Sequence, residues 1–359
     1  MLQCLKQVIA WLRLDVVLDL TLSKLDELYM VDKLPNTTPC PFAGGDLYRT
    51  HSDVVTRLST LPTRITEGTV VRGNVLGRAV FASAIYTTGI GQPDLPTHRR
   101  QQRAQQDIIQ TICNQMQKPD VWHEIERGFL EPPADLFVWW NSVMWSLLGM
   151  GELSETDSRS LCGLRTRILV FGSYLPDWRV FRFLVSDQDA WLERIRHYYP
   201  LHAESVFEMI FFAGGHSIPQ TLEAGLAELR KPGGIYPSED TMEAFVYETL
   251  RIRAPVGAIA YFVGQTPRRH LLSLHAAGLD PSIWGPDPRA FAPKALEVYH
   301  RNFVGFGEPA TVCPGKAMAM EVLQRLFLAY TRCYEEQPQT TRWSFVCWLQ
   351  QRFIQIDGI

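Results

Sequence analysis

Residues 303–322 read FVGFGEPATVCPGKAMAMEV, and the one thiol in this stretch belongs to Cys313. Small and turn-forming residues precede the cysteine, and strong helix formers follow it. Pro314 suits the first turn of a helix, where its missing N–H has no helical partner to lose. The pattern predicts a helix over 314–334, with the Cys313 thiol at its N-terminus, where backbone N–H groups and the helix dipole stabilise a thiolate.

Gly315 adds a reason to expect a flat ligand beside Cys313. Because this position has no side chain, a planar group can approach the backbone closely. A cysteine thiolate beneath a planar macrocycle is one of the ways in which proteins hold haem iron. The competing interpretation is a structural cysteine at a helix start, since free cysteine is among the most buried residue types.

Glu248 and Arg251 form a second motif, in the segment VYETLRIRAPV. Three residues apart on a helix, they share a face and can pair with each other. Such a pair alone is more typical of a solvated surface. The segment DPSIWGPDPRAFAP follows at 280–293 and leads to the Cys313 loop, and this order of three features favours a common function.

The three features together resemble those of the cytochrome P450 family of haem-thiolate enzymes. The family's cysteine loop, F-G/S-x-G-x-R/H-x-C-x-G, is matched by Phe306, Gly307, Cys313 and Gly315. Weaker similarities extend over residues 45–335, including MIFFAGGHSIPQTL, which resembles the central helix that passes over the haem. The resemblance implies a mainly α fold with small β-sheets (α+β), in which 1–359 is a single haem-thiolate domain and 1–44 is a segment of uncertain match.

The resemblance also implies a set of site residues around haem b. Cys313 is the expected axial iron ligand, and Glu248 and Arg251 are the expected structural pair. The residues expected to contact the cofactor lie on the cysteine loop and on an upstream basic segment, and they are Phe306, Gly307, Gly315, His98, Arg100 and Arg103. The basic segment can equally be a solvated helix face.

Several positions depart from the family pattern near the cysteine. Pro309 stands where the family has glycine, and Thr311 where it usually has a basic residue that binds a haem propionate. The arginine that the family's meander contributes to a triad with the E-x-x-R pair is also missing. Lys294 or Arg301 are the candidates to complete that triad.

The central helix departs from the family at its acid and alcohol pair. His216 replaces the acid, and Ser217 keeps the hydroxyl. Both are catalytic candidates, because a histidine can relay protons near neutral pH. The alternative for His216 is an exposed or hydrogen-bonded helix histidine. Pro219 leaves the carbonyl of Gly215 without its helical donor, which predicts local unwinding there or a simple break between two helices.

The composition restricts the class of protein. With 46% hydrophobic and 20% charged residues and a net charge of −3, the 359-residue chain gives no general electrostatic reason to bind nucleic acid. Charges interrupt the apolar segment near the N-terminus, so we expect no transmembrane segment, with peripheral membrane contact as a minor alternative. The seven scattered cysteines indicate a reducing compartment, and we expect a cytoplasmic, soluble protein.

Periodicity predicts helices at 101–117, 135–150, 201–230, 238–252 and 314–334. Short strands are predicted near 46–49, 256–264 and 345–357.

The leading functional hypothesis is a monooxygenase or oxidase that acts on an apolar small molecule in a specialised (secondary) metabolic pathway. Its electrons would come from an external ferredoxin or flavoprotein reductase, since the chain has no G-x-G-x-x-G nucleotide loop. The second hypothesis is a peroxide-using or redox-neutral enzyme (peroxygenase, isomerase, dehydratase or cyclase), because the central helix lacks its acid. The third is a non-catalytic haem-binding relic.

Overall fold

A computed structural model gives the fold of eleven parts of the chain, within which all structural statements below lie. They are residues 37–39, 45–60, 95–131, 133, 135–174, 187–210, 214–231, 234–256, 258–262, 269–307 and 312–336.

Helices dominate these residues. In chain order they are α1 His51–Thr60, α2 Leu95–Met116, α3 Pro119–Leu130, α4 Leu136–Leu147, α5 Glu155–Tyr174, α6 Gln188–Tyr198, α7 Ala203–Glu208, α8 Gly214–Leu229, α9 Met242–Ile252, α10 Leu274–Gly278, α11 Pro281–Trp284, α12 Leu296–Asn302 and α13 Lys316–Glu336. The five helical segments predicted by periodicity are therefore present, with shifted ends, and the segment 201–230 is divided into α7 and α8.

The helix starts follow local chemistry. Asp135 precedes α4, and its side chain accepts hydrogen bonds from the backbone N–H groups of Phe137 (2.9 Å) and Val138 (3.1 Å). A capping box between Ser238 and Thr241 forms a short 3₁₀ turn in front of α9. These caps bind N–H groups that have no partner within their own helix.

Four strands form one small sheet. They are β1 Thr37–Pro39, β2 Gly45–Tyr48, β3 Ala258–Phe262 and β4 Arg269–Ser273, in the order β1-β2-β4-β3. The pair β2 and β4 is parallel, whereas the two outer pairs are antiparallel. The strand predicted at 345–357 lies outside the described residues.

The main core lies where α8 packs against α4, α9 and α13, and α9 and α3 also pack against α13. Trp140 and Trp145 of α4 are each 1% exposed and belong to this core. A second apolar cluster joins the sheet to α1 and α10 through residues such as Val54, Leu58 and Leu272. None of the described helices has the length and apolarity that a bilayer-spanning segment needs.

Gly225 allows α8 and α13 to approach each other. A Cβ atom at this position would stand 2.2 Å from Cζ of Phe327, whose ring is fully buried. The ring has no free space to move into, since protein interiors are close-packed.

We expect Gly225→Ala to lower the free energy of unfolding by about 1–3 kcal/mol, because overpacking outweighs the better helix propensity of alanine. Urea denaturation checks this. Adding Phe327→Leu, which shortens the opposing side chain, should make the cost of Gly225→Ala clearly smaller. If Gly225→Ala lowered the free energy of unfolding equally with and without Phe327→Leu, the close contact between Gly225 and the Phe327 ring would be contradicted.

Candidate haem-thiolate site

The Cys313 loop is closed by backbone hydrogen bonds. The N–H of Gly307 donates to the carbonyl of Val304 (2.9 Å), and the N–H of Cys313 donates to the carbonyl of Phe306 (2.8 Å). Gly307 has φ = 79°, a conformation that other residues rarely adopt. The structure thus brings Phe306 and Gly307 next to Cys313, and it gives Gly307 a turn-forming role.

The thiol lies just before α13 and not within its first turn. The N–H of Lys316 binds the carbonyl of Cys313 (3.2 Å), and the first α-helical bond runs from Ala319 to Gly315 (2.8 Å). Pro314 and Gly315 therefore form the turn that precedes the helix, two residues later than the sequence predicts for its start. The Cys313 side chain is half-buried in this turn.

Burial sets the charge of the free thiol. It raises the pKa of Cys313 above the ordinary value, although the N–H of Gly315 and the nearby Lys316 cation act in the opposite direction. The expectation that the helix start alone stabilises a thiolate is therefore corrected. A metal ion that takes up this sulfur must displace its proton.

Glu248 and Arg251 form a buried ion pair and not a surface pair. Both side chains are almost fully buried, and Nε and Nη2 of Arg251 each donate to one carboxylate oxygen of Glu248 at 2.7 Å. This two-point geometry is the strongest that arginine and carboxylate can form. The remaining donors of Arg251 bind the carbonyls of Gly278 (2.7 Å), Pro288 (2.6 Å) and Ala290 (3.4 Å).

Tyr299 supplies a third side chain to this pair. Its hydroxyl donates to Oε2 of Glu248 (2.8 Å) and accepts from the N–H of Lys294 (3.0 Å). Burial and the Glu248 charge raise the pKa of Tyr299, so it remains a donor. Tyr299 is therefore the third member of the triad, for which Lys294 and Arg301 were the candidates. Lys294 contributes its backbone N–H, and Arg301 is exposed.

His216 and Ser217 lie in the first turn of α8. The His216 ring packs on Phe137 (centroids 5.6 Å apart), and its Nδ1 atom is shielded from solvent. Burial, and secondly the Arg165 cation, lower the pKa of His216 to about 3. The imidazole is therefore neutral at neutral pH. Any proton that His216 relays at this pH must pass through the neutral ring.

Ser217 is half-buried, and its carbonyl accepts from the hydroxyl of Thr221 (2.7 Å). The catalytic role of both residues stays a prediction. Pro219 does not interrupt the helix. Helix α8 is continuous from Gly214 through Pro219, so the unwinding or break predicted near Gly215 is absent. A π-type turn at 209–210 precedes α8, and 211–213 lie outside the described residues.

The expected propionate anchors lie on α2. Arg103 is exposed there, whereas the side chains of His98 and Arg100 lie outside those that the structure describes. Pro309 and Thr311 also lie outside the described residues. The role of this basic segment stays a prediction.

Haem is the group that this type of fold implies, and the donor set around Cys313 is compatible with it. No group of three or more His, Cys, Asp or Glu side chains that could hold a metal ion occurs among the described residues. A lone thiolate suits haem, whose macrocycle supplies the other in-plane ligands of the iron. The residue beside the thiol also leaves space, since a Cβ at Gly315 would meet nothing nearer than 3.9 Å.

The fold matches those of several solved cytochrome P450 structures. The structure superposes on CYP175A1 from Thermus thermophilus with a TM-score of 0.63 and 17% identity, covering 90% of each chain. Cytochrome P450 TbtJ1 matches with a TM-score of 0.61 and 15% identity, covering 87% of this chain and 89% of its own.

The P450 monooxygenase TamI matches with a TM-score of 0.56 and 15% identity, covering 86% of this chain and 83% of its own. No protein-family model and no curated protein sequence matches the chain. The chain thus has the cytochrome P450 fold, and the resemblance seen in its motifs is confirmed at that level.

Sequence reasoning missed four side chains near the site. Tyr299 left no motif, because a tyrosine takes the place of an expected cation. Trp140 on α4 binds the start of the central helix, Arg165 on α5 binds Ile210 just before it, and Asn141 on α4 binds Arg165. Only the unusual arginine in the apolar pattern of α5 could have signalled this contact.

We expect Tyr299→Phe to lower the free energy of unfolding by about 1–3 kcal/mol, because it removes a donor from the buried Glu248 carboxylate. Urea denaturation measures the change. Tyr198→Phe, at a side chain that is 47% exposed, is the matched control and should have little effect. Equal stability of the Tyr299 variant and the wild-type protein would contradict the triad.

The depressed pKa of His216 predicts a loss of stability in acid. As the pH falls below 6.5, the unfolded chain takes up a proton at this residue, whereas the folded chain does so only near pH 3. The contribution of His216 to the unfolding free energy is therefore fully present above the pKa of this residue in the unfolded chain. It declines as the pH falls towards the pKa of His216 in the folded chain. His216→Gln should flatten the decline in unfolding free energy between pH 7 and about pH 5.

His123→Gln is the control for this experiment, because His123 is exposed on α3. Its pH dependence should match that of the wild-type protein. Parallel curves for the His216 variant and the wild type would refute the burial argument.

Proposed function

We propose that the chain is a haem-thiolate enzyme with Cys313 as the axial ligand of haem b. The observation that carries the proposal is the place of Cys313 directly before α13, in a loop closed by the hydrogen bond from its N–H to the carbonyl of Phe306. We further propose that residues 1–359 form one P450-like domain.

The residues of the chain divide the work of holding the group. Cys313 binds the iron, the loop of Phe306 and Gly307 shapes the space around the sulfur, and His98, Arg100 and Arg103 bind the propionates. Glu248 and Arg251 would hold the segment that leads from α9 to the Cys313 loop, through the carbonyls of Gly278, Pro288 and Ala290. When bound, the haem supplies oxidative chemistry, in which a thiolate ligand favours O–O cleavage.

The proposed reaction is monooxygenation or oxidation of an apolar small molecule in a specialised pathway. One structural neighbour is described as a monooxygenase, and the fold is shared. Electrons would come from a ferredoxin or a flavoprotein reductase. The chain's part in the reaction is to position the substrate, exclude water and pass protons along α8, where Ser217 keeps a hydroxyl.

A peroxide-using or redox-neutral reaction is the second candidate, and His216 favours it. A histidine that is neutral at pH 7 and packed on Phe137 is a poor substitute for a carboxylic acid in proton delivery. The two candidates separate in assays with a panel of apolar metabolites. Turnover with peroxide or without any reductant supports the second, and turnover only with NAD(P)H and a redox partner supports the first.

We expect the reduced, carbon monoxide-bound protein to show the red-shifted Soret band of a thiolate ligand. Cys313→Ser should lose this band, because a serine hydroxyl does not replace a thiolate. Cys333→Ser, at a half-buried cysteine of α13, is the control and should keep it.

An unchanged band in the Cys313 variant would refute the assignment of the ligand. Haem binding without turnover of any substrate would instead indicate a non-catalytic relic.

A further inference from the structure

Side chains from two neighbouring helices bind the backbone where α8 begins. Nη2 of Arg165 on α5 donates to the carbonyl of Ile210 (3.1 Å), the last described residue before α8. Nε1 of Trp140 on α4 donates to the carbonyl of Gly214 (2.9 Å), the first residue of α8. Both carbonyls are therefore bound by side chains of other helices.

The arginine is placed with little freedom. Arg165 is 3% exposed, and its Nη2 also donates to Oδ1 of Asn141 (2.7 Å), which is fully buried. Asn141 in turn donates to the sulfur of Cys162, one turn before Arg165 (3.1 Å). A buried cation is expensive unless its donors are bound, so this network makes the position of the guanidinium specific.

Gly215 lies against the backbone of Ile210 and close to the Arg165 guanidinium. A Cβ atom on Gly215 would lie 1.5 Å from the carbonyl oxygen of Ile210 and 3.2 Å from Nη2 of Arg165. Pro219 also leaves the carbonyl of Gly215 without a helical donor. The start of α8 therefore depends on contacts from other helices.

We infer that Arg165 is a positioning residue that, together with Trp140, fixes the start of α8 and with it the place of His216 and Ser217. Arg165 itself contacts the backbone just before α8 and acts through it. The inference rests on the proposed function for its effect on the haem site, whereas the latch formed by Arg165 and Trp140 is a property of the chain itself.

Hydrogen exchange of the haem-containing protein tests the latch. Arg165→Met keeps the length of the side chain but removes its donors, and the amides of residues 214–222 should exchange about tenfold faster. Arg159→Met is the matched control on the same helix, where Arg159 forms an exposed pair with Glu155. Exchange of these amides at the wild-type rate in the Arg165 variant would overturn the inference.

Trp140→Phe keeps the ring position but lacks the indole N–H, so it gives a second test if Arg165→Met does not fold. It should also accelerate exchange at 214–222, and an unchanged rate would count against the latch. Arg165→Lys, which retains a buried cation, should restore part of the protection.

The positioning role has its own spectroscopic signature. In the reduced, carbon monoxide-bound protein, the infrared C–O stretching frequency should shift in Arg165→Met, while the Soret band stays at the thiolate position. A constant frequency with faster exchange would reduce Arg165 to a structural residue and overturn its positioning role. Absence of the thiolate band from the wild-type protein would overturn both this role and the proposed function, and the exchange rates would still report on the latch.

Discussion

The buried pair of Glu248 and Arg251 is the interaction on which the region around Cys313 depends. All five N–H donors of the arginine have acceptors, and three of these are backbone carbonyls at Gly278, Pro288 and Ala290. The carboxylate also accepts from the N–H of Ala292 (2.9 Å). The end of α10 and the loop around 288–292 are thereby attached to α9, since each carbonyl has a fixed donor.

Tyr299 extends this attachment towards the cysteine. Its ring stacks on Tyr247 at an interplanar angle of 10°, and Tyr247 packs edge-on against Phe303. Phe303 packs against Phe306, which carries the carbonyl that binds Cys313. A neutral hydroxyl here replaces the cation expected from the family pattern. Because Arg251 already balances the charge of Glu248, a hydrogen bond without a further charge suffices.

The stability of the central helix α8 is lowered by its own sequence and raised by contacts with neighbouring helices. Two glycines and a proline near the start of α8 lower the stability of an isolated helix. Trp140 and Arg165 bind the carbonyls of Gly214 and Ile210, and α4, α9 and α13 pack around the rest of the helix. Irregular backbone inside a core is stable only where its polar groups find such partners.

Much of the fold was predictable from the sequence, because helix periodicity, caps and prolines act over a few residues. The Cys313 loop and the pairing of Glu248 with Arg251 were predictable for the same reason, since both lie within short motifs. The role of Tyr299, the latch at Arg165 and the neutral state of His216 were decided only by the tertiary structure. Each depends on burial beside residues far away in sequence, and burial decides whether a polar group is charged, bound or exposed to water.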